Sequence, residues 1–358
     1  MRFADAAGEA LRNVATGVSR AVLIVIGLAA LTLGAAWLDT SSVAATMTRA
    51  DEFRAGGGSI WVVAAPGAVD GARCDALAEL PRVAAAGALR SSAQGIRFAV
   101  LPSLAIESFA ATPGLAEVLQ PGDAVGAGTM LLSARLASDL GVDGPGWLPT
   151  TTGSIAVRGS FDYPSDGRAP ILEYAAVSFA RGTEPFDACW INVWPPDAEL
   201  AARLRTAPLI DTADLEQVEL STINPALGTR LDPATEFLNR TTRFVGPAAG
   251  LLAALGLLAV GMRRRLEYAS ARHAGVTRAD LVRIALIEAL TWGAVLGLVQ
   301  SALVWGMARA FGAGDPGVLV ETAARVAAFT LAGGVLGALI VPALATERRL
   351  IELFKGRS

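Results

Sequence analysis

The sequence predicts a membrane protein with four transmembrane α-helices and a large α+β extracytoplasmic domain, inserted between helices 1 and 2 on a helical stalk. Three observations support this class. Of 358 residues, 53% are hydrophobic and 18% are charged, whereas soluble chains carry about 25% charged residues. The apolar residues form long runs, separated by one polar insert of 205 residues. The basic residues concentrate in short segments beside those runs.

The chain begins with an amphipathic segment at residues 1–20, where Leu11, Val14 and Val18 share one helical face. Four apolar segments follow, each near the roughly 20 residues that cross a bilayer. The predicted spans are residues 21–38, 244–262, 284–307 and 326–345. The length of the first run favours an uncleaved span over a signal peptide. The remaining segments are the insert at 39–243, a coupling loop at 263–283, a short loop at 308–325 and a tail at 346–358.

Arginine placement predicts the orientation. Residues 1–20, 263–283 and 346–358 together hold 13 basic residues in 54, whereas the insert holds 15 basic and 24 acidic residues, a net charge of −9. Short basic loops stay in the cytoplasm. We therefore expect a multi-pass protein of the cytoplasmic membrane, with both termini cytoplasmic and with the insert and the 308–325 loop outside.

The insert begins and ends with helical patterns. Residues 39–55 extend span one until glycines at 56–58, and Asp232 and Pro233 suit the start of a helix that leads into span two. These two helices form the predicted stalk. Between them the pattern mixes strands and helices. We expect strands at 60–64, 96–101, 154–157, 175–179 and 190–194, and a strand followed by a helix at 130–142. We expect helices at 75–80 and 197–206 and a buried apolar element at 83–89. Surface turns are expected at 143–153 and 162–168.

Two features of the insert leave alternatives open. Trp190, Asn192 and Trp194 share one face of a predicted strand, which is typical of either an aromatic ligand platform or a strand buried on both faces; we favour the second. Cys74 and Cys189 both fall outside the membrane. In an oxidising compartment they form a disulfide, or they occupy two separate core positions.

Several chemistries are excluded. The single lysine, Lys355, lies too near the end of the chain for a Walker A phosphate loop. The single histidine, His273, lies across the membrane from both cysteines, which excludes a Cys/His metal site or a His-based nucleophile outside. The net charge of −3 excludes a strongly basic nucleic-acid binder. We expect a non-catalytic chain without a metal or a cofactor of its own.

The coupling loop carries the strongest local signal. A short helix over 266–273 ends at Gly275, which suits a left-handed C-cap. Thr277 then caps a helix that runs directly into span three. This arrangement indicates a rigid connection to a cytoplasmic partner, although a plain positive-inside loop is the alternative. Glycines four residues apart in three spans indicate close helix packing: Gly246 and Gly250, Gly293 and Gly297, and Gly333 and Gly337.

The sequence here resembles the MacB/FtsX-like permeases of ABC transporters. The resemblance depends on Glu267, on HAGVTRADL at 273–281 and on LIEAL at 286–290. The order of one span, a large external domain and three further spans is also similar, as are MLLSARLASDLGV at 130–142 and RGSF at 158–161. Leu266 and Ala269 depart from the family pattern, which usually has Arg and often Gly there.

The resemblance implies a homodimer bound to two copies of a separate ABC ATPase, which would hold the ATP and Mg. The residues it implies for ATPase coupling are Glu267, Tyr268, Arg272, His273, Gly275 and Thr277. Glu288, at the start of span three, matches a glutamate of the family, and plain anchoring at the membrane interface is its alternative role. The implied function is mechanotransmission: movements driven by the ATPase would expel or hand over an amphipathic cargo, such as a lipid or a peptide. Membrane lipids would surround the complex. The alternatives are an FtsX-like regulator that activates an external cell-wall hydrolase, and a sensor subunit of a signalling kinase.

Overall fold

The computed structural model describes residues 3–122, 125–180, 184–195, 198–211, 213–228, 231–311 and 316–346. Most of the predicted tail at 346–358, with its four basic residues, and residues 312–315 of the predicted 308–325 loop lie outside these ranges. The chain forms two compact units. Residues 1–48 and 234–358 make up the helical unit, and residues 49–233 make up the sheet unit.

The helical elements follow the chain in this order: α1 (Phe3–Ala15), α2 (Ala21–Ala55), α3 (Gly71–Ala76), α4 (Pro113–Leu119), α5 (Ala134–Leu140), α6 (Ala198–Leu204), α7 (Pro233–Asn239), α8 (Val245–Arg263), α9 (Arg265–His273), α10 (Arg278–Phe311) and α11 (Pro316–Leu344). The strands are β1 (Ile60–Val69), β2 (Val83–Ser91), β3 (Glu107–Ala111), β4 (Thr129–Ser133), β5 (Gly146–Thr150), β6 (Gly153–Phe161), β7 (Ala175–Phe179), β8 (Phe186–Val193) and β9 (Glu219–Thr222).

Four helical segments among the described residues are long and apolar enough to cross a membrane: Ala21–Ala55, Thr241–Arg263, Arg278–Met307 and Pro316–Leu344. The predicted class of four such helices with a mixed α/β domain between the first and second is confirmed. These helices indicate a multi-pass membrane protein. Helix α2 continues through residues 39–55 without a break.

The predicted helix leading into the second span is wrong as one continuous element. Helix α7 ends at Asn239, Arg240 takes an extended ψ of 134°, and a 3₁₀ turn over Thr241–Phe244 precedes α8. The Arg240 side chain explains the break, because its Nη1 donates to the Phe237 carbonyl at 2.6 Å and so satisfies the open end of α7.

Helices α8 and α11 pack through their glycines. A Cβ added at Gly333 would overlap the backbone of Gly250, and one added at Gly337 would overlap the backbone of Ala254. Glycine at these positions therefore lets the two helix backbones touch. Gly297 of α10 differs, since a Cβ there would meet nothing within 4 Å in the described part of the chain.

A buried polar pair joins α2 to α10 within the apolar region. Gln300 Nε2 donates to Thr32 Oγ1 at 2.8 Å, and Thr32 Oγ1 in turn donates to the Leu28 carbonyl. Leu28 and Leu296, one helical turn before Thr32 and Gln300, belong to an apolar cluster formed by α2, α8 and α10. The hydrogen bond fixes the register of the first and third spans.

The described residues of the sheet unit form one sheet of nine strands in the order β5-β6-β4-β7-β3-β2-β8-β1-β9. The β3–β7 and β4–β6 pairs are parallel and the other neighbours are antiparallel. Strand β8 lies inside the sheet. Trp190 enters the core on one face, whereas Ile191 and Val193 enter the core on the other. The strand is thus buried on both faces, which leaves no aromatic platform at Trp190.

Cys74 of α3 and Cys189 of β8 form a disulfide, with an Sγ–Sγ distance of 2.01 Å. Both cysteines are fully buried among the apolar residues of one face of the sheet. The bond therefore ties a short helix to the centre of the sheet.

Several predicted elements of the insert are wrong in detail. Residues 143–153 contain β5 rather than turns alone, because an edge strand tolerates Pro149, which lacks an N–H. Residues 96–101 form only isolated bridges, since the chain turns where Leu101 N donates to the Phe98 carbonyl. The helix predicted at 75–80 is α3 followed by a 3₁₀ turn over Leu77–Glu79. Strands β3 and β9 and helix α4 were not predicted.

Candidate functional site

The turn between α9 and α10 depends on one glycine. Gly275 has a φ of +91°, a conformation that only glycine adopts readily. Its N–H donates to the Arg272 carbonyl, and the N–H of Val276 donates to the Ala271 carbonyl, each at 3.0 Å. This is the Schellman arrangement that closes a helix. It fixes the direction in which the chain leaves α9.

Thr277 begins α10. The Thr277 hydroxyl accepts from the Asp280 N–H at 3.2 Å and donates to the Asp280 carboxylate at 2.6 Å. This cap satisfies an N–H that the first turn of a helix leaves open. Helix α10 then continues for 34 residues. A displacement of its first turn is therefore carried into the membrane-crossing part of the same helix.

A buried ion cluster lies where α1, α9 and α10 meet. Glu288, whose side chain is 7% exposed, accepts from Arg264 Nη1 at 2.8 Å and from Asn13 Nδ2 at 2.7 Å. Arg264 also donates through Nε to Glu267 at 3.0 Å. We call Asn13, Arg264, Glu267 and Glu288 the basal cluster. Asn13, Glu267 and Glu288 come from three helices and Arg264 lies between α8 and α9, so the cluster joins the N-terminal helix and the start of α9 to the third span.

Arg264 keeps its positive charge although it lies inside the basal cluster. The Arg264 guanidinium lies 5.3 Å from the centre of the buried Tyr268 ring. Burial alone would lower the pKa of Arg264, but its hydrogen bond to Glu288 and the nearby negative charges raise that pKa above its ordinary value. Burial also raises the pKa of Tyr268, with smaller contributions from Glu288 and Glu267. At neutral pH Arg264 is therefore a cation and Tyr268 is uncharged.

The structure divides the residues predicted for ATPase coupling into two groups. Glu267, Tyr268 and Glu288 meet around Arg264. Arg272, Gly275 and Thr277 build the turn, where Arg272 Nη1 donates to the Val276 carbonyl at 3.1 Å. His273, the last residue of α9, is exposed.

Sequence reasoning missed Asn13 and the particular role of Arg264. Arg264 lies three residues before Glu267, a spacing that pairs side chains on a helix, so this contact had a local signal. The contact of Asn13 with Glu288 joins residues 275 positions apart, and no local pattern indicates it.

A cleft of about 320 Å³ opens beside the basal cluster. Glu9 and Glu267 supply acidic groups to its wall, and Leu281 and Ile284 supply apolar surface. Arg264 also lines the cleft and pairs with Glu267, and Arg12 pairs with Glu9, so the wall presents charges of both signs beside the apolar surface.

A second buried ion cluster lies at the other end of the apolar runs. Asp39 of α2 is fully buried and accepts from Arg240 Nε at 3.0 Å and from Arg325 Nη2 of α11 at 3.2 Å. The Arg240 side chain is 6% exposed, and its guanidinium lies 3.9 Å from the centre of the Phe237 ring. We call Asp39, Arg240 and Arg325 the apical cluster. It ties the first span, the segment before the second span and the fourth span together.

No group of three or more His, Cys, Asp and Glu side chains among the described residues could hold a metal ion. No protein-family model matches the chain, and no curated protein matches it. Among solved structures, the periplasmic region of MacB from Actinobacillus actinomycetemcomitans is similar, with a TM-score of 0.35 and 7% identity over 54% of this chain and 99% of that chain. At this score and identity the likeness does not assign the chain to a family.

Proposed function

We propose that this chain is the permease subunit of an ABC-type exporter or mechanotransmission complex, in which a separate ATPase moves the extracytoplasmic domain. The basal cluster is the observation that carries the proposal. It joins the start of α9 to the third span through Arg264, the residue that precedes α9, and Glu288; their side chains are 14% and 7% exposed. A buried ion pair of this kind resists separation, because removing one partner leaves an unpaired buried charge at a cost of about 3–5 kcal/mol. A push on α9 therefore moves the third span.

The proposed coupling runs in three steps. The ATPase contacts α9 and the cleft beside it, whose wall combines the paired charges of Glu9, Arg264 and Glu267 with the apolar side chains of Leu281 and Ile284. The Gly275 turn and the Thr277 cap carry the motion into α10. The helices then transmit it to the external unit, which expels or hands over an amphipathic cargo. On this proposal the chain is not an enzyme, forms a homodimer, has both termini in the cytoplasm, and leaves ATP and Mg to its partner.

The test is co-expression with an ATPase encoded beside this chain, followed by reconstitution of the purified complex into nanodiscs. We expect the chain to co-purify with the ATPase and to raise its rate of ATP hydrolysis. Failure of every neighbouring ATPase to bind would contradict the proposal. An adjacent peptidase or kinase that bound instead would redirect the function.

A matched pair of glycine variants separates coupling from stability. Gly275→Val forces a β-branched residue to a φ of +91°, which should alter the α9–α10 turn while the ATPase still binds. Gly141→Val places the same residue at a φ of +67° at the left-handed end of α5, in the sheet unit, and serves as the control. We expect Gly275→Val to abolish stimulation of ATP hydrolysis and Gly141→Val to retain it. Equal effects would show that strain alone, rather than coupling, explains the loss.

One observation favours the alternative of a regulator of an external hydrolase. Trp147 of β5 is 75% exposed. Val100 and Leu104 are also exposed. They follow Ala99, whose N–H donates to the carbonyl of Pro149 in β5. Large exposed apolar side chains on two adjoining segments suit a surface that a protein partner covers. If the full chain stimulated a cell-wall hydrolase, and Trp147→Ser removed that stimulation without changing ATPase binding, the regulator would be the better assignment.

A further inference from the structure

A cleft of about 360 Å³ opens beside the apical cluster. Phe237 of α7 and residues from the first turns of α11 line it: Val318, Glu321, Thr322 and Arg325. All of these residues belong to the helical unit. The cleft combines an acid, a base, a hydroxyl group and apolar surface, which is the mixture that an amphipathic ligand requires.

The apical cluster locates this cleft at the boundary of the hydrocarbon layer. Arg325 is the last charged residue before the apolar run Val326–Leu344, and Asp39 is the first after the apolar run at 21–38. The two side chains are in contact, so both runs end at the same level. Charged groups at the end of an apolar run lie among lipid headgroups. The cleft therefore faces headgroups rather than acyl chains.

The charges around the cleft define the kind of headgroup. Asp39 and Glu321 carry two negative charges, and Arg240 and Arg325 carry two positive ones, so the site is neutral as a whole. Arg325 binds Asp39 through Nη2, yet its side chain is 44% exposed and lines the cleft. It can donate to a phosphate oxygen, the acceptor for which a guanidinium is best suited. Glu321, one helical turn earlier, can accept from an ammonium group.

We propose that this cleft binds the phosphoethanolamine headgroup of a phospholipid. The phosphate contacts Arg325, the primary ammonium donates to Glu321, and the glycerol region packs on Phe237 and Val318. Residues one helical turn apart have Cβ atoms about 5–6 Å apart, a spacing that the two-carbon link between phosphate and ammonium can bridge. An anionic headgroup fits less well, because it brings a net negative charge to Glu321. The lipid is a resident of the complex and not its cargo.

The experiment uses the full-length chain alone, without an ATPase. The protein is reconstituted in nanodiscs that contain equal amounts of dioleoyl phosphatidylethanolamine and dioleoyl phosphatidylglycerol in a phosphatidylcholine background, and retained lipids are counted by native mass spectrometry. We expect about 10-fold more phosphatidylethanolamine than phosphatidylglycerol on the wild type. A wild type without this preference, or with the reverse preference, would overturn the proposal.

Glu321→Gln is the primary variant, because Glu321 is exposed and its loss should not disturb folding. This variant should retain about 10-fold less phosphatidylethanolamine and more phosphatidylglycerol than the wild type. An unchanged ratio of phosphatidylethanolamine to phosphatidylglycerol would overturn the proposed contact between Glu321 and the ammonium group. Arg325→Gln should lower retention of both lipids. Arg309→Gln is the control, since Arg309 stacks on Trp305 of α10 and does not line the cleft, and it should leave both values unchanged. These outcomes are independent of ATPase binding.

Discussion

Replacing Gly333 with alanine should separate the second and fourth spans. A Cβ at this position would lie within 2.8 Å of three backbone atoms of Gly250 in α8. Carbon atoms in favourable contact are about 3.5–4.0 Å apart. Backbone cannot rotate out of the way as a flexible side chain can, so the two helices must move apart by about 1 Å or more.

The expected cost follows from that separation. A radial gap of about 0.5–1 Å forfeits a quarter to a half of the dispersion energy of each affected contact, and overpacking of this kind typically costs about 1–3 kcal/mol. Alanine returns up to about 1 kcal/mol through its better helix propensity. With the full return subtracted, the net loss for Gly333→Ala is about 0–2 kcal/mol, and the overlap with three backbone atoms of Gly250 favours the upper part of that range. Gly297→Ala should instead gain up to about 1 kcal/mol, because nothing in the described chain crowds that position.

Both variants can be compared by unfolding in mixed micelles, with the mole fraction of denaturing detergent as the variable. The wild type should unfold between the two variants, with Gly333→Ala earliest and Gly297→Ala latest. If Gly333→Ala unfolded at or above the midpoint of Gly297→Ala, the close approach of α8 and α11 would be wrong. The comparison is internal, because both substitutions add the same methyl group to a helix.

Three further predictions concern other parts of the molecule. Burial raises the pKa of Asp75 above its ordinary 3.8. The folded chain therefore holds this proton more tightly than the unfolded chain, and the free energy of unfolding falls as the pH rises through the titration of Asp75. Asp75→Asn should reduce this fall when urea midpoints are plotted against pH, and an unchanged slope would contradict the shift. Reduction of the Cys74–Cys189 disulfide, which joins residues 115 positions apart, should lower the free energy of unfolding of the sheet unit by roughly 4–5 kcal/mol, measured by urea titration with and without reductant. Thr32→Val should cost about 0.5–1.5 kcal/mol by removing the partner of Gln300, whereas Thr32→Ser should retain the hydrogen bond; equal micelle midpoints for the two variants would contradict this role.

Local patterns predicted the elements whose physics is local. The apolar runs had the length and the lack of charge that a span requires. Gly275 and Thr277 had the helix-ending and helix-starting chemistry that the structure shows at the α9–α10 turn. These signals lie within a few residues of one another, so they do not depend on tertiary contacts.

The edge of the sheet could not be predicted for the opposite reason. Strand β5 contains Gly146 and Pro149, which disfavour strands, and it forms because β6 supplies its hydrogen bonds. Strand β9 has four residues and depends on β1 in the same way. The residue propensities of such a segment therefore indicate a turn, although hydrogen bonds from the neighbouring strand make the segment a strand.

The long-range contacts of both ion clusters also lay beyond sequence reasoning. Asp39 is 201 positions from Arg240 and 286 positions from Arg325. In the sequence, Asp39 is simply the first charged residue after the first span, and Arg240 is one of several arginines before the second span. Only the packing of the helices shows that these charges neutralise one another, because burial, and not residue type, makes a partner necessary.

The two clusters also give the bundle a fixed hydrophobic length. Between them the apolar runs at 21–38, 245–262, 289–307 and 326–344 hold 18 or 19 residues each, or about 27–29 Å at 1.5 Å per residue. This length is slightly less than the hydrocarbon thickness of a typical bilayer, about 30 Å. The apical cluster ties the first and fourth spans to the segment before the second span, and the basal cluster ties the third span to the residue after it. Sliding of any of these spans along the second would therefore break a buried ion pair. The lipid must then thin around the protein, and this mismatch energy favours the thinner regions of a membrane.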